Sequence, residues 1–565
     1  MADPADVARS ANAEDEPDPT DPWARLAQTF PRLSEEMVER VARYGETEQL
    51  APFAEVFSRG DRGRDFLVIL EGTIEIYERE DDGSVRPLRS QVAREFTGEL
   101  DLFNDRAILV SGRAGPEPTR VVRIRRADFR RLVQSEPDIA EIIMRAFILR
   151  RVGLLRHGQG AAVLIGPAHS ADTLRLQQFL NRNAYPLRLF DTEQDADAGG
   201  FLECFSLTAA ELPVIVLPEH RALRNPTLAA LADALGITED FDHDAVFDLA
   251  VVGAGPAGLA AAVYGASEGL QTIVLESIAP GGQAGTSSKI ENYLGFPTGI
   301  SGEALAGRAQ VQAQKFGARL AVSRAVVALD CDQEPYRLSL DDGAAIRARA
   351  VVIATGARYR KLDVPDFERF EGQGIYYAAT AMEANLCRAS EVIVVGGGNS
   401  AGQAAVFLSR TARHVYVLVR GDGLAATMSD YLVQRIEHSA QISLHACSEI
   451  VGLEGGSALS AVVWRNRRSG AETRRPVSAI FAMIGAEPNT GWVDGCLELD
   501  AQGFVLTGAR AGQGADSPYA TSRPGVYAVG DVRSGSVKRV ASGVGEGSVV
   551  VQAVHRFLHP PEAQA

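Results

Sequence analysis

The sequence predicts a multidomain chain: an N-terminal β-barrel, a short α/β segment, and two three-layer α/β domains built on parallel sheets. Three observations predict it. Residues 57–77 alternate strand-like runs with the turns Arg59-Gly60-Asp61, Arg62-Gly63 and Glu71-Gly72. A buried-type strand, Val163 to Gly166, is followed by a helical pattern from Ser170 to Asn183 and further strands at Leu187–Phe190 and Glu211–Val216. Two glycine clusters, Gly253-Ala254-Gly255-Pro256-Ala257-Gly258 and Gly396-Gly397-Gly398-Asn399-Ser400-Ala401, each follow a short apolar run and open an Ala-rich helical stretch.

Length and composition bound the rest. At 565 residues the chain has room for about three or four domains, and 46% apolar residues is ordinary for a globular protein. No apolar run is long enough to cross a bilayer. Residues 1–24 are acidic and Pro/Ala-rich and are expected to form a disordered tail, not a signal peptide. The net charge of −16 argues against nucleic-acid binding. Cys204, Cys331, Cys387, Cys447 and Cys496 include no CxxC pair, so no metal ribbon is expected and a reducing cytoplasm is the natural compartment.

In the barrel, residues 25–155, a strand at Phe66–Leu70 turns at Glu71-Gly72 into an alternating strand at Thr73–Tyr77. With Gly98-Glu99-Leu100 and Arg106-Ala107, this resembles the cyclic nucleotide-binding domain of catabolite activators and cyclic-nucleotide-dependent kinases. The resemblance implies that Glu99 accepts the ribose hydroxyl of cyclic AMP or cyclic GMP and Arg106 pairs with the cyclic phosphate. The short helix after Gly98 would add backbone N–H groups. Glu99 and Arg106 stand closer than is usual in that family, which leaves a barrel kept for packing alone as the alternative. Arg125 to Leu155 is expected to be one long helix leaving the barrel. No recognition helix follows, which disfavours a transcription factor.

Residues 160–240 resemble a glutaredoxin or thioredoxin module, with Leu212-Pro213 where that fold places its cis-proline. The first helix opens His169-Ser170-Ala171-Asp172-Thr173, without a thiol, and Cys204 is expected to be a core or loop cysteine. A docking or spacer role is implied, without redox chemistry.

The glycines of the first cluster have separate tasks. Gly253 makes the tight turn, Gly255 lets backbone approach a pyrophosphate, and Gly258 lets helix pack on strand, with Pro256 and Ala257 between them. Glu276, 23 residues after Gly253, ends the next strand where an acid binds a ribose diol. From Phe247 to Leu558 the chain resembles the low-molecular-weight thioredoxin reductases. The motifs are Gly281-Gly282-Gln283 with Ile290-Glu291-Asn292-Tyr293, Ala354-Thr355-Gly356-Ala357, Gly530-Asp531, and Lys538-Arg539-Val540-Ala541. The resemblance implies that residues 245–360 and 486–560 form a Rossmann-like FAD domain. Gly282, Gln283, Asn292, Ala354, Thr355, Gly356, Gly530, Asp531, Lys538, Arg539 and Val540 would then lie at the FAD. By the same resemblance residues 361–485 would form the inserted NAD(P) domain, with Gly396, Gly398, Asn399, Ser400 and Ala401 at the nucleotide. Arg420 closes its second strand where no acid stands, so NADPH is expected in preference to NADH.

The family's CxxC would fall at Ala379 and Met382, followed by Glu383 where the family has a proton-donating acid. Neither residue is a thiol, and only a thiolate attacks a disulfide. Cys387 stands alone and is expected to be buried and structural. The expected activity is hydride transfer from NADPH to FAD and on to an unidentified acceptor, such as a small redox protein, in a cytoplasmic homodimer responsive to a cyclic nucleotide. No metal, membrane or nucleic-acid partner is expected. The alternatives are a thioredoxin-disulfide reductase using non-adjacent cysteines and a flavin and cyclic-nucleotide redox sensor with little turnover.

Overall fold

The computed structural model describes residues 21–79, 84–104, 106–195, 208, 211–217, 221–238, 244–287, 289–377, 379, 381–456, 458–512 and 517–560. The expected acidic tail, except for its last residues, and Cys204 lie outside them. The chain divides into two compact units, residues 1–161 and 162–565.

In the first unit, single helical turns at Pro22–Ala24 and Leu26–Thr29 precede α1 (Glu35–Ala42), whose first turn is capped by Ser34 accepting from the Met37 N–H. Seven strands follow: β1 (Glu46–Leu50), β2 (Glu55–Phe57), β3 (Phe66–Glu71), β4 (Thr73–Arg79), β5 (Val85–Val92), β6 (Ser111–Ala114) and β7 (Thr119–Ile124). They form two sheets, ordered β1-β7-β3 and β2-β6-β4-β5. Alternation along β3 decides which core each residue joins. Phe66 and Val68 pack with Phe96, Phe129 and Phe147 under the helices, while Leu67 and Ile69 point into the barrel with Phe57 and Ile74.

The expected single helix leaving the barrel is two, α2 (Arg126–Ser135) and α3 (Pro137–Arg156). Pro137 is the reason. It has no N–H to donate, and its ring would strike the carbonyl a turn earlier, so the helix stops at Glu136 and restarts with proline in its first turn.

The second unit begins with β8 (Ala162–Gly166), α4 (Ala171–Arg182), β9 (Leu187–Asp191), β10 (Val214–Val216), β11 (Ala222–Arg224) and α5 (Leu228–Ala234). Ser170 caps α4 by accepting from the Thr173 N–H at 3.1 Å. The sheet order is β11-β10-β8-β9, with β8 and β9 parallel and β10 antiparallel to β8; the Leu212–Pro213 bond before β10 is cis.

A larger sheet follows, from β12 (Val246–Val252), α6 (Pro256–Ser267), β13 (Thr272–Glu276), α7 (Gly302–Lys315), β14 (Arg319–Val322), β15 (Val326–Asp330), β16 (Tyr336–Leu340) and β17 (Ala345–Ile353). β14-β13-β12-β17 run parallel, with the antiparallel pair β16-β15 at one edge. Every residue of β13 is buried, as a strand covered on both faces requires.

The chain then leaves through β18 (Ala357–Tyr359) into a second domain: β19 (Ile375–Tyr376), α8 (Ala381–Leu386), β20 (Glu391–Val395), α9 (Asn399–Leu408), β21 (His414–Leu418), α10 (Asp430–Glu437), β22 (Ile442–His445), the meander β23 (Ser448–Gly455), β24 (Leu459–Asn466), β25 (Glu472–Arg475), and β26 (Ala479–Ala482). Its five-stranded parallel sheet is ordered β19-β26-β20-β21-β22. It returns through β27 (Ala486–Pro488), which pairs with β18, to β28 (Val526–Ala528) beside β17 and the closing helix α11 (Val540–Leu558). The two α/β domains thus repeat one plan, and two crossing strands join them. Among the described residues no helix is long and apolar enough to cross a membrane.

Candidate functional site

The first glycine turn lies where β12 hands the chain to α6, at the point where strand order reverses between β12 and β17. Such a crevice, at the carboxyl ends of parallel strands, is where open α/β sheets hold ligands. Gly253 has φ +100°, and a Cβ there would sit 2.4 Å from the Ala354 carbonyl oxygen. A Cβ on Gly258 would fall 1.9 Å from the Gly253 oxygen. Gly255 differs: its Cβ would meet nothing nearer than the Gly282 Cα at 3.9 Å. That open space faces a helix start with no side-chain cap, so a phosphate there meets unsatisfied N–H groups. Glu276 ends β13, buried, and its carboxylate accepts from the Ala254 N–H at 2.8 Å and the Ile278 N–H at 3.0 Å. Gln283 donates to the Ala357 carbonyl. Gly530 follows β28 with φ +74°, and its N–H is held by Glu546 at 2.6 Å. Burial pushes the Asp531 carboxyl above its usual range, against the pull of Lys538 and with the push of Glu546. Arg539 caps α11, Val540 opens it, and Lys538 lies over the Phe504 ring. Asn292 is exposed on its loop.

The second turn repeats the device. Gly396 has φ +140°, and a Cβ there would sit 2.2 Å from the Met483 oxygen at the end of β26. Gly398 caps α9 without a side-chain bond, and a Cβ there would meet nothing within 4 Å. Asn399 accepts from the Ser429 N–H at 2.7 Å, Ser400 is exposed, and Ala401 is fully buried against the sheet. Arg420 is exposed just beyond β21. Sequence reasoning missed Arg468. The β24–β25 turn brings its guanidinium to 2.6 Å from Asp422, two residues from Arg420, so a second cation stands near the position where Gly421 supplies none.

Between the domains, Thr355 and Asn489 exchange hydrogen bonds at 2.8 and 2.9 Å beside the β18–β27 pair, with Gly356 at φ +62°. Glu291 on the loop after β13 pairs with Arg435 of α10 at 2.7 Å. Burial would raise the Glu291 carboxyl, but hydrogen bonds from Lys289 and Arg435 outweigh it and hold it low. Helix α4 touches both domains. Leu174 belongs to the second domain's core, Gln178 donates to Glu383 at 3.2 Å, and Arg182 donates to the carbonyls of Ala279 and Gly282, both at 3.2 Å.

In the first unit a cavity of 320 Å³ opens beside Gly98, Glu99 and Asp101, walled mainly by apolar side chains. Glu99 is buried, and Arg151 of α3 grips both its carboxylate oxygens. The expected ribose acceptor is therefore engaged within the protein. Glu99 also accepts from the Leu100 N–H at 3.0 Å. Leu100, Arg106 and Ala107 are not among the cavity-lining residues.

Residues 247–547, more than half the chain, match the family described as pyridine nucleotide-disulphide oxidoreductase. The chain belongs to that family. Residues 47–136 match the cyclic nucleotide-binding domain. Among relatives of this oxidoreductase, the chain is 30% identical over 353 residues to NADPH-dependent thioredoxin reductase 3 of Arabidopsis thaliana, covering 60% of this chain and 65% of that protein. It is 31% identical to thioredoxin reductase of Streptomyces coelicolor, covering 55% of this chain and 94% of that one. The solved thioredoxin reductase of Lactococcus lactis superposes with a TM-score of 0.51 at 29% identity, over 55% of this chain and 99% of its own. That of T. acidophilum gives 0.51 at 28%, over 55% and 98%. The family implies FAD and NAD(P)H, and the open space at Gly255 and Gly398 fits both nucleotides.

Four cysteines of this oxidoreductase lie among the described residues. Ala379 is buried; the side chain of Met382 lies outside the described residues. Cys387 is buried, and burial together with the Glu383 charge pushes its thiol up to about 12. Cys447 is also buried and donates to Asp422. Cys331 and Cys496 form a disulfide, which the sequence reading did not foresee. Register places it. Asp330 pairs through Arg337 and Arg347 with Val246, the first residue of β12, whereas Gly253 follows the last. Cys331 thus lies roughly 15–20 Å along the strand direction from the glycine turn.

Proposed function

We propose that this oxidoreductase transfers hydride from NADPH to FAD and passes the electron pair to an acceptor other than a thioredoxin disulfide. The observation that carries the reading is the combination of two open glycine turns with alanine at the first dithiol position. FAD, when bound, supplies the ring that accepts the hydride. The chain's own residues bind and orient. Gly255 and the first turn of α6 present N–H groups to a pyrophosphate, and Glu276 fixes the turn and meets a ribose. Gln283, held on the Ala357 carbonyl, and Asp531, held in low dielectric, would help to hold the FAD. Gly398 and α9 receive the second pyrophosphate, and Arg420, with Arg468 nearby, favours the 2′-phosphate of NADPH over the bare ribose of NADH. Glu383, next to the absent thiols, has no thiolate to serve.

Three further observations support an acceptor other than thioredoxin. Cys387 keeps its proton at physiological pH. The described disulfide lies at the opposite end of the sheet from the glycine turn. Helix α4 already packs on the segment that carries Ala379 and Glu383. The proposal takes the protein as a cytoplasmic homodimer. Cyclic-nucleotide regulation draws its support from the domain match, since Glu99 is held by Arg151.

Anaerobic titration of the purified full chain with NADPH and NADH, read by flavin absorbance, tests the first half. Bleaching by NADPH at lower concentration than NADH is expected. Reoxidation by a panel of ferredoxin, quinone, oxygen and thioredoxin tests the second. A colourless protein that takes up no FAD, or thioredoxin reduction keeping pace with NADPH oxidation, would overturn the reading.

A further inference from the structure

Two residues that line the cavity of the first unit, Arg150 and Arg89, each hold a buried donor without a hydrogen-bond partner, Nη2 and Nε respectively. Orphaned donors are rare in protein interiors, and two on guanidiniums that line one cavity point to an acceptor that enters it. Both guanidiniums lie against the Phe30 ring, 3.9 Å from its centroid for Arg89 and 4.9 Å for Arg150, and the Arg89 charge is felt at Arg150. Arg150 is 4% exposed and reaches only neutral acceptors, the carbonyls of Thr29, Phe96 and Gly98. The nearby carboxylates are engaged. Glu95 faces Arg89 at 3.4 Å and Arg32 at 3.8 Å, and Glu99 is taken by Arg151. Asp101 is only partly ionised at neutral pH, because burial and the Glu99 carboxylate push it up to about 7. Arg150 is therefore a buried cation without a carboxylate of its own, which is costly unless an anion joins it. The rest of the wall is apolar, with Leu26, Ile76, Leu88, Ile108, Val110 and Leu154 among its residues.

We propose that this cavity binds a small amphiphilic monocarboxylate, its carboxylate set between Arg89 and Arg150 and its apolar body along the aliphatic wall. A volume of 320 Å³ is at the lower end for small-molecule sites and suits a medium-chain fatty acid or an arylalkanoic acid. The anion site is distinct from the one expected at Arg106, and it leaves the Glu99–Arg151 pair intact. A cyclic nucleotide would carry the same single negative charge, but its ribose would have to displace Arg151 from Glu99.

Isothermal titration of the full chain with decanoate, 1-decanol, cyclic AMP and cyclic GMP tests the proposal, with Trp23 fluorescence as a second readout because Trp23 lines the cavity. Saturable decanoate binding is expected, about tenfold or more tighter than that of 1-decanol, since only the acid meets the guanidiniums. Arg89→Gln is expected to weaken decanoate about tenfold and Arg106→Ala to leave it unchanged. Arg150→Gln should weaken it further; because Arg150 also ties three carbonyls, the comparison of acid with alcohol on the unaltered protein carries the test if that variant does not fold. Equal affinity for the alcohol and the acid, absence of saturable decanoate binding below about 1 mM, or cyclic-nucleotide binding that Arg106→Ala abolishes while decanoate fails to bind, each overturns it.

Discussion

The Gln178 amide donates to the Glu383 carboxylate across 3.2 Å, joining α4 to α8. Leu174, one turn earlier, is part of the same domain's core, and Arg182, one turn later, reaches the Ala279 and Gly282 carbonyls beside the first glycine turn. Residues four apart share one helix face, so α4 lies along both domains with a single side. A docking thioredoxin would have to dislodge it. Restoring the sulfur pair is therefore not sufficient. The double substitution A379C with M382C should leave NADPH-dependent thioredoxin reduction, read by insulin turbidity, at background. Turnover rising to match NADPH oxidation would show that α4 is no obstacle.

Cys387 should be inert in the folded protein. With its thiol pushed up to about 12 by burial and by Glu383, only on the order of one molecule in ten thousand carries the thiolate at pH 8. Dithionitrobenzoate is expected to react with it only after guanidinium unfolding, and Cys387→Ala should not change the rate of flavin reduction. Prompt labelling of Cys387 in the native protein would contradict the burial described.

The glycines of the first turn should fail in different ways. A methyl group on Gly258 meets backbone at 1.9 Å, so Gly258→Ala should give insoluble or colourless protein. At Gly255 the methyl group enters open space, so Gly255→Ala should fold with an unchanged circular dichroism spectrum yet hold FAD about tenfold or more weakly. In the second domain, Arg420→Ala should raise KM for NADPH about tenfold and leave KM for NADH unchanged, because only the former carries a phosphate for the guanidinium.

The Cys331–Cys496 bridge spans 165 residues and encloses the whole inserted domain. Cross-linking a loop of that length stabilises by about 5 kcal/mol in the chain-entropy account, less any strain. Cys331→Ser should lower the melting temperature of the second unit without changing how fast NADPH bleaches the flavin. Loss of flavin reduction in that variant would instead make the bridge part of the electron path.

Local spacing carried the parts of this architecture that local geometry dictates. The glycine turns were legible because strand, tight turn and helix start must follow within six residues, and Glu276 because the next strand has a fixed length. Pro137 marks a helix break in the sequence, although apolar residues continue on both sides of it. What joins distant segments was not legible. The Cys331–Cys496 pair depends on the register of β15 through β17, and Arg468 reaches Asp422 only once β24 and β25 have paired. The buried arginines left a faint signal: Arg150 and Arg151 interrupt an apolar helix face that runs through Ala146, Phe147 and Leu154.

Asp101 gives the first unit a pH dependence of unusual sign. Burial, reinforced by the neighbouring Glu99 carboxylate and opposed by Arg151, raises its folded-state value from the ordinary carboxyl range to about 7. The folded unit therefore binds a proton that the unfolded chain has released between about pH 4 and 7. Stability from this group is fully present below the unfolded value and is lost as pH rises through about 7, whereas most carboxylates lose stability on acidification. The unfolding transition of the first unit, followed through Trp23, should shift to lower denaturant between about pH 5.5 and 8, by on the order of 2 kcal/mol. Asp101→Asn cannot lose the proton and should flatten the profile over the same window. An Asp101→Asn profile as steep as that of the unaltered protein would assign the dependence to another group.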